Sequence, residues 1–221
     1  MKIMTRGNGS NFPVMLLLSA TNKKGDTMAK RVFFSFHYAD VSSFRANVVR
    51  NHWLTKKDRE ICGYYDASIW EEAQKQGDTA LKRLINAGLN QTSNTCVLIG
   101  SQTYARPWVR YEILKSFKKG NHIFAVHINS IKDKSGNTKI KGPNPLRYVG
   151  VSFSDSGKTA TLYEKNNGKW IEYRKIDNSS SYRVNVPKKY HGNGYSLDQF
   201  YNTYDWVSDN GFNNFKNWVK Q

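Results

Sequence analysis

Four short runs of apolar, β-prone residues, separated by stretches of helical periodicity, set the tightest limit on what this chain can fold into. The runs are Arg31-Val32-Phe33-Phe34-Ser35-Phe36, Cys62-Gly63-Tyr64-Tyr65, Thr95-Cys96-Val97-Leu98-Ile99-Gly100 and Ile123-Phe124-Ala125-Val126-His127-Ile128. Near-continuous hydrophobicity over so few residues suits strands covered on both faces. Residues 41–53 predict a helix, capped by Asp40 or Ser42, with Val41, Phe44, Val48 and Val49 facing inward. Asp66-Ala67-Ser68 reads as the opening of a polar loop. Gly77-Asp78-Thr79 marks a second helix start, with Leu81, Leu84 and Ile85 as its apolar face. Arg106-Pro107-Trp108 opens a third, with proline at a tolerated first-turn position. Lys118-Lys119-Gly120 suits its end. The order β-α-β-α-β-α-β predicts an α/β fold of three layers, a central parallel sheet between helices. Ligands of such sheets gather beyond the carboxyl ends of the strands. The loops after the first three strands are therefore where a site is expected.

Beyond residue 130 the pattern changes. Residues 149–154, 159–164 and 169–175 read as short strands, with turn signals at Ser156-Gly157 and Asn167-Gly168. Residues 196–219 carry Phe200, Tyr204, Trp206, Phe212, Phe215 and Trp218 and read as a helical tail packing its aromatics onto the domain. The expected organisation is a core over 28–130 and an extension of short strands and helix over 131–221, packed on that core. Residues 1–27 hold Lys2, Arg6 and an apolar run over 12–20 interrupted by Pro13, too short to span a bilayer and poorly shaped for a signal peptide. Lys23-Lys24-Gly25-Asp26-Thr27-Met28 back-translates to a purine-rich stretch before a second start codon. The reading is a disordered, non-native leader, with the functional chain starting at Met28.

Composition narrows the function classes. Aromatic residues are 14% of the 221, which argues against disorder. The net charge of +17 fits either a polyanionic partner or a field that steers a phosphorylated small ligand. Lys and Arg are scattered and no nucleic-acid motif is present, so nucleic acid is the disfavoured partner. The two cysteines, Cys62 and Cys96, have no metal-ligand or disulfide-framework spacing, which favours the cytoplasm, and no metal is expected. Glycine-rich dinucleotide loops, P-loops and nucleophile elbows are absent.

The segment from Ser101 to Glu112 carries the most chemistry. Trp108 and Glu112 are four apart and share a helix face. A carboxylate beside a large ring is partly desolvated, which raises its pKa. Spacing alone favours the plainer reading, an exposed first-turn glutamate complementing the helix N-terminus. Phe36, His37 and Tyr38 follow the first strand, at the expected crevice. As separate residues they read as core, loop and lid; as a cluster, a binding role is equally supported. Asp66 and Trp70 follow the second strand, where helix capping explains Asp66 as well as ligand contact does.

"RVFFSFHYAD" resembles the first-strand motif of TIR domains, and "TCVLIGSQTYARPWVRYEI" resembles their third strand and Trp-x-x-x-Glu helix. With "VVRNHW", "ALKRLIN", "KGPNP" and "YDWV", the chain from Met28 onward resembles the TIR-like subunit of the Thoeris antiphage defence system. The resemblance implies a flavodoxin-like fold and an enzyme that cleaves NAD at the nicotinamide–ribose bond. The remainder would be cyclised to a cyclic ADP-ribose signal for a downstream effector, after a phage-derived trigger. It implies Glu112 as the catalytic carboxylate. Phe36, His37 and Tyr38 would be substrate contacts, joined by Asp66, Trp70 and Trp108 around the site, and a subunit contact would make a homo-oligomer. NAD would be the substrate, with no cofactor and no membrane partner. His37 in place of arginine, Pro107 before the tryptophan and the long extension are departures from the common TIR pattern. Two other classes stay open: a non-catalytic TIR adaptor working by assembly, and a basic nucleic-acid sensor.

Overall fold

The computed structural model describes residues 30–37, 44–55, 59–62 and 67–219. Five parallel strands form one sheet: β1 (Lys30–Ser35), β2 (Arg59–Cys62), β3 (Asn94–Ile99), β4 (His122–His127) and β10 (Thr203–Asp205). Their order is β10-β4-β3-β1-β2. Every neighbouring pair is parallel. With β10 as the fifth strand, this is the 2-1-3-4-5 order of flavodoxin-like sheets, with the switch point between β1 and β3.

A second, antiparallel sheet lies between β4 and β10 in sequence. It contains β5 (Val149–Phe153), β6 (Thr159–Asn166), β7 (Lys169–Glu172) and β9 (Gly194–Ser196), with β8 (Ser181–Arg183) also paired to β6. The five described helices are α1 (Arg45–Leu54), α2 (Ala67–Lys75), α3 (Asp78–Asn90), α4 (Pro107–Lys119) and α5 (Gly211–Trp218).

Strand alternation divides the core into two. Val32, Phe34, Cys96, Leu98, Phe124 and Val126 face α1 and α5, where Phe215 stacks on Phe34 and meets Trp53 and Phe124 edge-on. Phe33, Val97, Ile99, Ile123 and Ala125 face α3 and α4, and this cluster continues into Val149, Val151, Leu162 and Tyr195 of the antiparallel sheet. Helix α4 lies between the sheets, with residues buried nearly all the way round it.

Several expectations are corrected. The first helix begins at Arg45 with Phe44 as N-cap; Phe44 and Val48 are exposed, and Ala46, Val49 and Trp53 form the buried face. Asp40 and Ser42, the expected caps, lie outside the described residues, as does the 1–27 segment. The second strand is earlier than its aromatic run, at Arg59–Cys62. Ala67 and Ser68, expected in a polar loop, are the first residues of α2, an additional helix. Its Glu, Gln, Lys and Ala residues are good helix formers, and Trp70 and Ala73 give it an inward side. The tail over 196–219 is α-helical only at α5, after a 3-10 turn at Leu197–Gln199, and Thr203–Asp205 pairs with β4 as a strand. Phe212, expected to pack inward, is 63% exposed.

Candidate active site

The anchoring of α4 decides where Glu112 stands. Its C-terminus closes in a Schellman motif, with Gly120 at φ +87° and bonds from Gly120 N to Phe117 O and Asn121 N to Ser116 O. Thr95 donates to Ser116 at 2.9 Å, and Asn121 donates to both Thr92 and Thr95, which ties this end to the start of β3. The other end is held by Arg110, whose Nη1 meets the Glu164 carboxylate and the Lys165 carbonyl of β6, each at 3.1 Å. Held at both ends, the helix delivers Glu112 to the carboxyl edge of the parallel sheet.

There the Ser35 hydroxyl, on the last residue of β1, donates to Glu112 Oε2 at 2.5 Å. Ser35 is fully buried and Glu112 is 6% exposed. The carboxyl group has no other hydrogen bond among the described residues. Burial pushes its pKa up to about 8, against the lowering effect of the Ser35 hydroxyl. The exposed first-turn glutamate of the plainer reading is therefore excluded: Glu112 is buried, and it belongs to the second turn. Ser35 was not singled out from the sequence, although period-2 alternation puts it on the same side as Phe33, toward α4.

Phe36 and His37 continue directly from Ser35. Phe36 is partly buried against the cluster under α1 and α5. His37 is half-buried, and its pKa is lowered by burial first, then by Arg106 and Lys139, which keeps the imidazole neutral. Those two cations, from the start of α4 and the loop after β4, were not identified from the sequence. Arg106 bonds to Gln102, and its Nε is buried without a partner.

Trp108 and Trp70 belong to the helical layer, both partly buried on the α3–α4 cluster. The Trp108 ring meets Tyr111 edge-on at 5.7 Å, and the Tyr111 hydroxyl bonds Asn86 of α3 at 3.1 Å. The structure thus brings Glu112 to Ser35 at the end of β1, with His37 two residues further on, while Phe36 packs toward α1 and α5. It seats the two tryptophans against the neighbouring helices. Tyr38 and Asp66 lie outside the described residues.

No helix among the described residues is long and apolar enough to cross a membrane. A family model described as "Thoeris protein ThsB, TIR-like domain" matches residues 33–133. A protein of Bacillus cereus (strain MSX-D12), "Putative cyclic ADP-D-ribose synthase ThsB1", is 59% identical over 194 residues, covering 87% of this chain and 100% of that protein. Sheet order, the carboxylate at the switch point and similarity across that whole relative agree: the chain belongs to the ThsB family of TIR-like Thoeris proteins.

Proposed function

We propose that this protein is an antiphage enzyme that breaks the nicotinamide–ribose bond of NAD with Glu112 and closes the remainder into a cyclic ADP-ribose isomer. The observation that carries the reading is the buried, barely satisfied carboxyl group of Glu112 at the switch point of the sheet. The name of the Bacillus cereus relative, a cyclic ADP-D-ribose synthase, supports the same chemistry. An adaptor working only by assembly gains nothing from a buried carboxyl group with a raised pKa, whereas active sites routinely hold one.

Breaking the bond builds positive charge on the ribose carbon. A carboxylate hydrogen-bonded to the ribose hydroxyls, in a site of low dielectric, stabilises that charge. With the site empty, Glu112 is largely protonated at neutral pH. The cationic nicotinamide ring favours its ionised form, so substrate binding drives release of the carboxyl proton to solvent and leaves the carboxylate. Nicotinamide leaves neutral and needs little acid catalysis. Exclusion of water by the aromatic surroundings lets another group of the same molecule attack.

In this reading Phe36, His37 and Tyr38 line the substrate, neutral His37 serves as a hydrogen-bonding group, and Arg106 and Lys139 supply positive potential for the diphosphate. Asp66, Trp70 and Trp108 shape the remaining wall. NAD is the substrate and no separate cofactor takes part. The enzyme acts in the cytoplasm after a phage-derived trigger, its product reaches a separate effector, and self-association completes the assembly.

The test is mass spectrometry of small molecules from phage-infected cells carrying wild type or Glu112→Gln at matched protein levels. The expected result is a cyclic ADP-ribose isomer in wild type and at least a hundredfold less with the variant, the scale of losing one transition-state stabiliser. Equal product in both would overturn the assignment.

A further inference from the structure

Two strand positions from β1, across β3, the carboxyl edge holds a cleft of about 750 Å³ that the proposed reaction does not use. His127 at the end of β4 and Thr203 and Tyr204 of β10 contribute to its lining, together with Lys141, Asn144 and Arg147. This volume lies in the range of small-molecule sites.

One wall is preformed. Gly142 lies so close to the end of β3 that a Cβ there would fall 2.1 Å from the Gly100 carbonyl oxygen and 2.7 Å from that of Ser101. Only glycine fits without moving the chain. Lys141, next to it, is exposed and makes no ion pair or hydrogen bond among the described residues. Arg147 uses Nε on Asp198 at 3.2 Å, which leaves its terminal nitrogens for a ligand.

His127 supplies the second, independent observation. It is only 7% exposed and its ring makes no hydrogen bond among the described residues: Nδ1 is fully buried, so Nε2, also unpartnered, is the nitrogen that a ligand in the cleft can reach. A buried polar group left unsatisfied is costly, and such groups usually mark a missing partner. Burial, then Lys141, push its pKa down to about 4, with Asp205 opposing, so the imidazole is neutral near pH 7. Two cations on separate elements beside a neutral imidazole match an anion with several oxygens better than an apolar guest.

We propose that this cleft binds a phosphate-bearing small molecule of nucleotide size, with Lys141 and Arg147 on the phosphate and His127 as a hydrogen-bond partner. None of Lys141, Arg147 and His127 is among the residues assigned to the NAD site, and the proposal does not depend on Glu112 being catalytic.

The test is isothermal titration calorimetry on the full chain with AMP, inorganic phosphate and adenosine, none of which carries a nicotinamide–ribose bond, as titrants. Expected results are that AMP binds, adenosine does not, Lys141→Ala weakens AMP at least tenfold, and His37→Ala leaves it in place. Arg147→Ala, at another exposed position, should weaken it similarly and guards against a fold defect in one variant. Phosphate binding as tightly as AMP supports a site for the free anion; AMP binding more tightly supports the nucleotide. Absence of AMP and phosphate binding at millimolar concentration would overturn the proposal. So would adenosine matching AMP, or binding that His37→Ala removes and Lys141→Ala does not.

Discussion

Arg45 and Glu112 are both buried ionisable side chains, at 1% and 6% exposure, but the protein surrounds them differently. Arg45, at the start of α1, donates from Nε to the Ile131 carbonyl at 2.8 Å and from Nη2 to the Asn137 carbonyl at 2.7 Å. It also pairs with Asp133 at 3.4 Å, leaving only Nη1 without a partner. Asp133 is held below the usual carboxylate range by the backbone N–H of Asn137 first, then that of Ser135 and by Arg45 itself. The charge therefore clasps the loop after β4 onto the body of the fold. Glu112, equally out of water, receives one hydroxyl. Arg45 is surrounded by partners, whereas Glu112 is left short of them, as the proposed role in chemistry requires.

Neutralising each residue with little change of volume should separate the two roles by sign. Arg45→Met leaves the buried Ile131 carbonyl and the partly buried Asn137 carbonyl without their donor and is expected to lower stability by about 3 kcal/mol at every pH from 5 to 8, read by urea denaturation. Stabilisation by that change would break the comparison.

Glu112→Gln is expected to act the other way. Its folded pKa is raised above the ordinary 4.5 to about 8. The unfolded chain thus releases its proton first, and stability is lost as pH rises through that window, at about 1.4 kcal/mol per pH unit at most. The variant has no such proton. Its melting temperature should match wild type near pH 4.5 and exceed it increasingly toward pH 8, and a constant difference would remove the argument for a desolvated carboxyl group.

Ser35→Ala tests the single partner and should have the smallest effect. The Ser35 hydroxyl lowers the Glu112 pKa. Its loss should move the acid limb of the pH–rate profile for NAD conversion upward. A profile that does not move would assign Ser35 to packing alone.

The same contrast separates what was legible in the sequence from what was not. Strands β1, β3 and β4 stand out because doubly covered strands must be continuously apolar. Helix α4 was bounded by Pro107 and Gly120, residues whose backbone chemistry is local. Glu112 was found through its Trp108 spacing and a family resemblance, but its burial against Ser35 of β1 is a long-range contact that no local pattern announces. Ser35 looked like an ordinary strand residue until the helix 77 positions later met it. Strand β10, only Thr203-Tyr204-Asp205, has no strand pattern of its own; its pairing with Ala125, Val126 and His127 assigns it to the sheet. The face of α1 was misjudged because Phe44 and Val48 are apolar, while the charged Arg45 is the buried one.

The most direct measurement of the central claim is a ¹³C NMR titration of the Glu112 carboxyl carbon in the protein without substrate, assigned by comparison with Glu112→Gln. A midpoint near pH 8 is the predicted result. A midpoint near 4.5 would show an ordinary, solvated carboxylate and contradict the account.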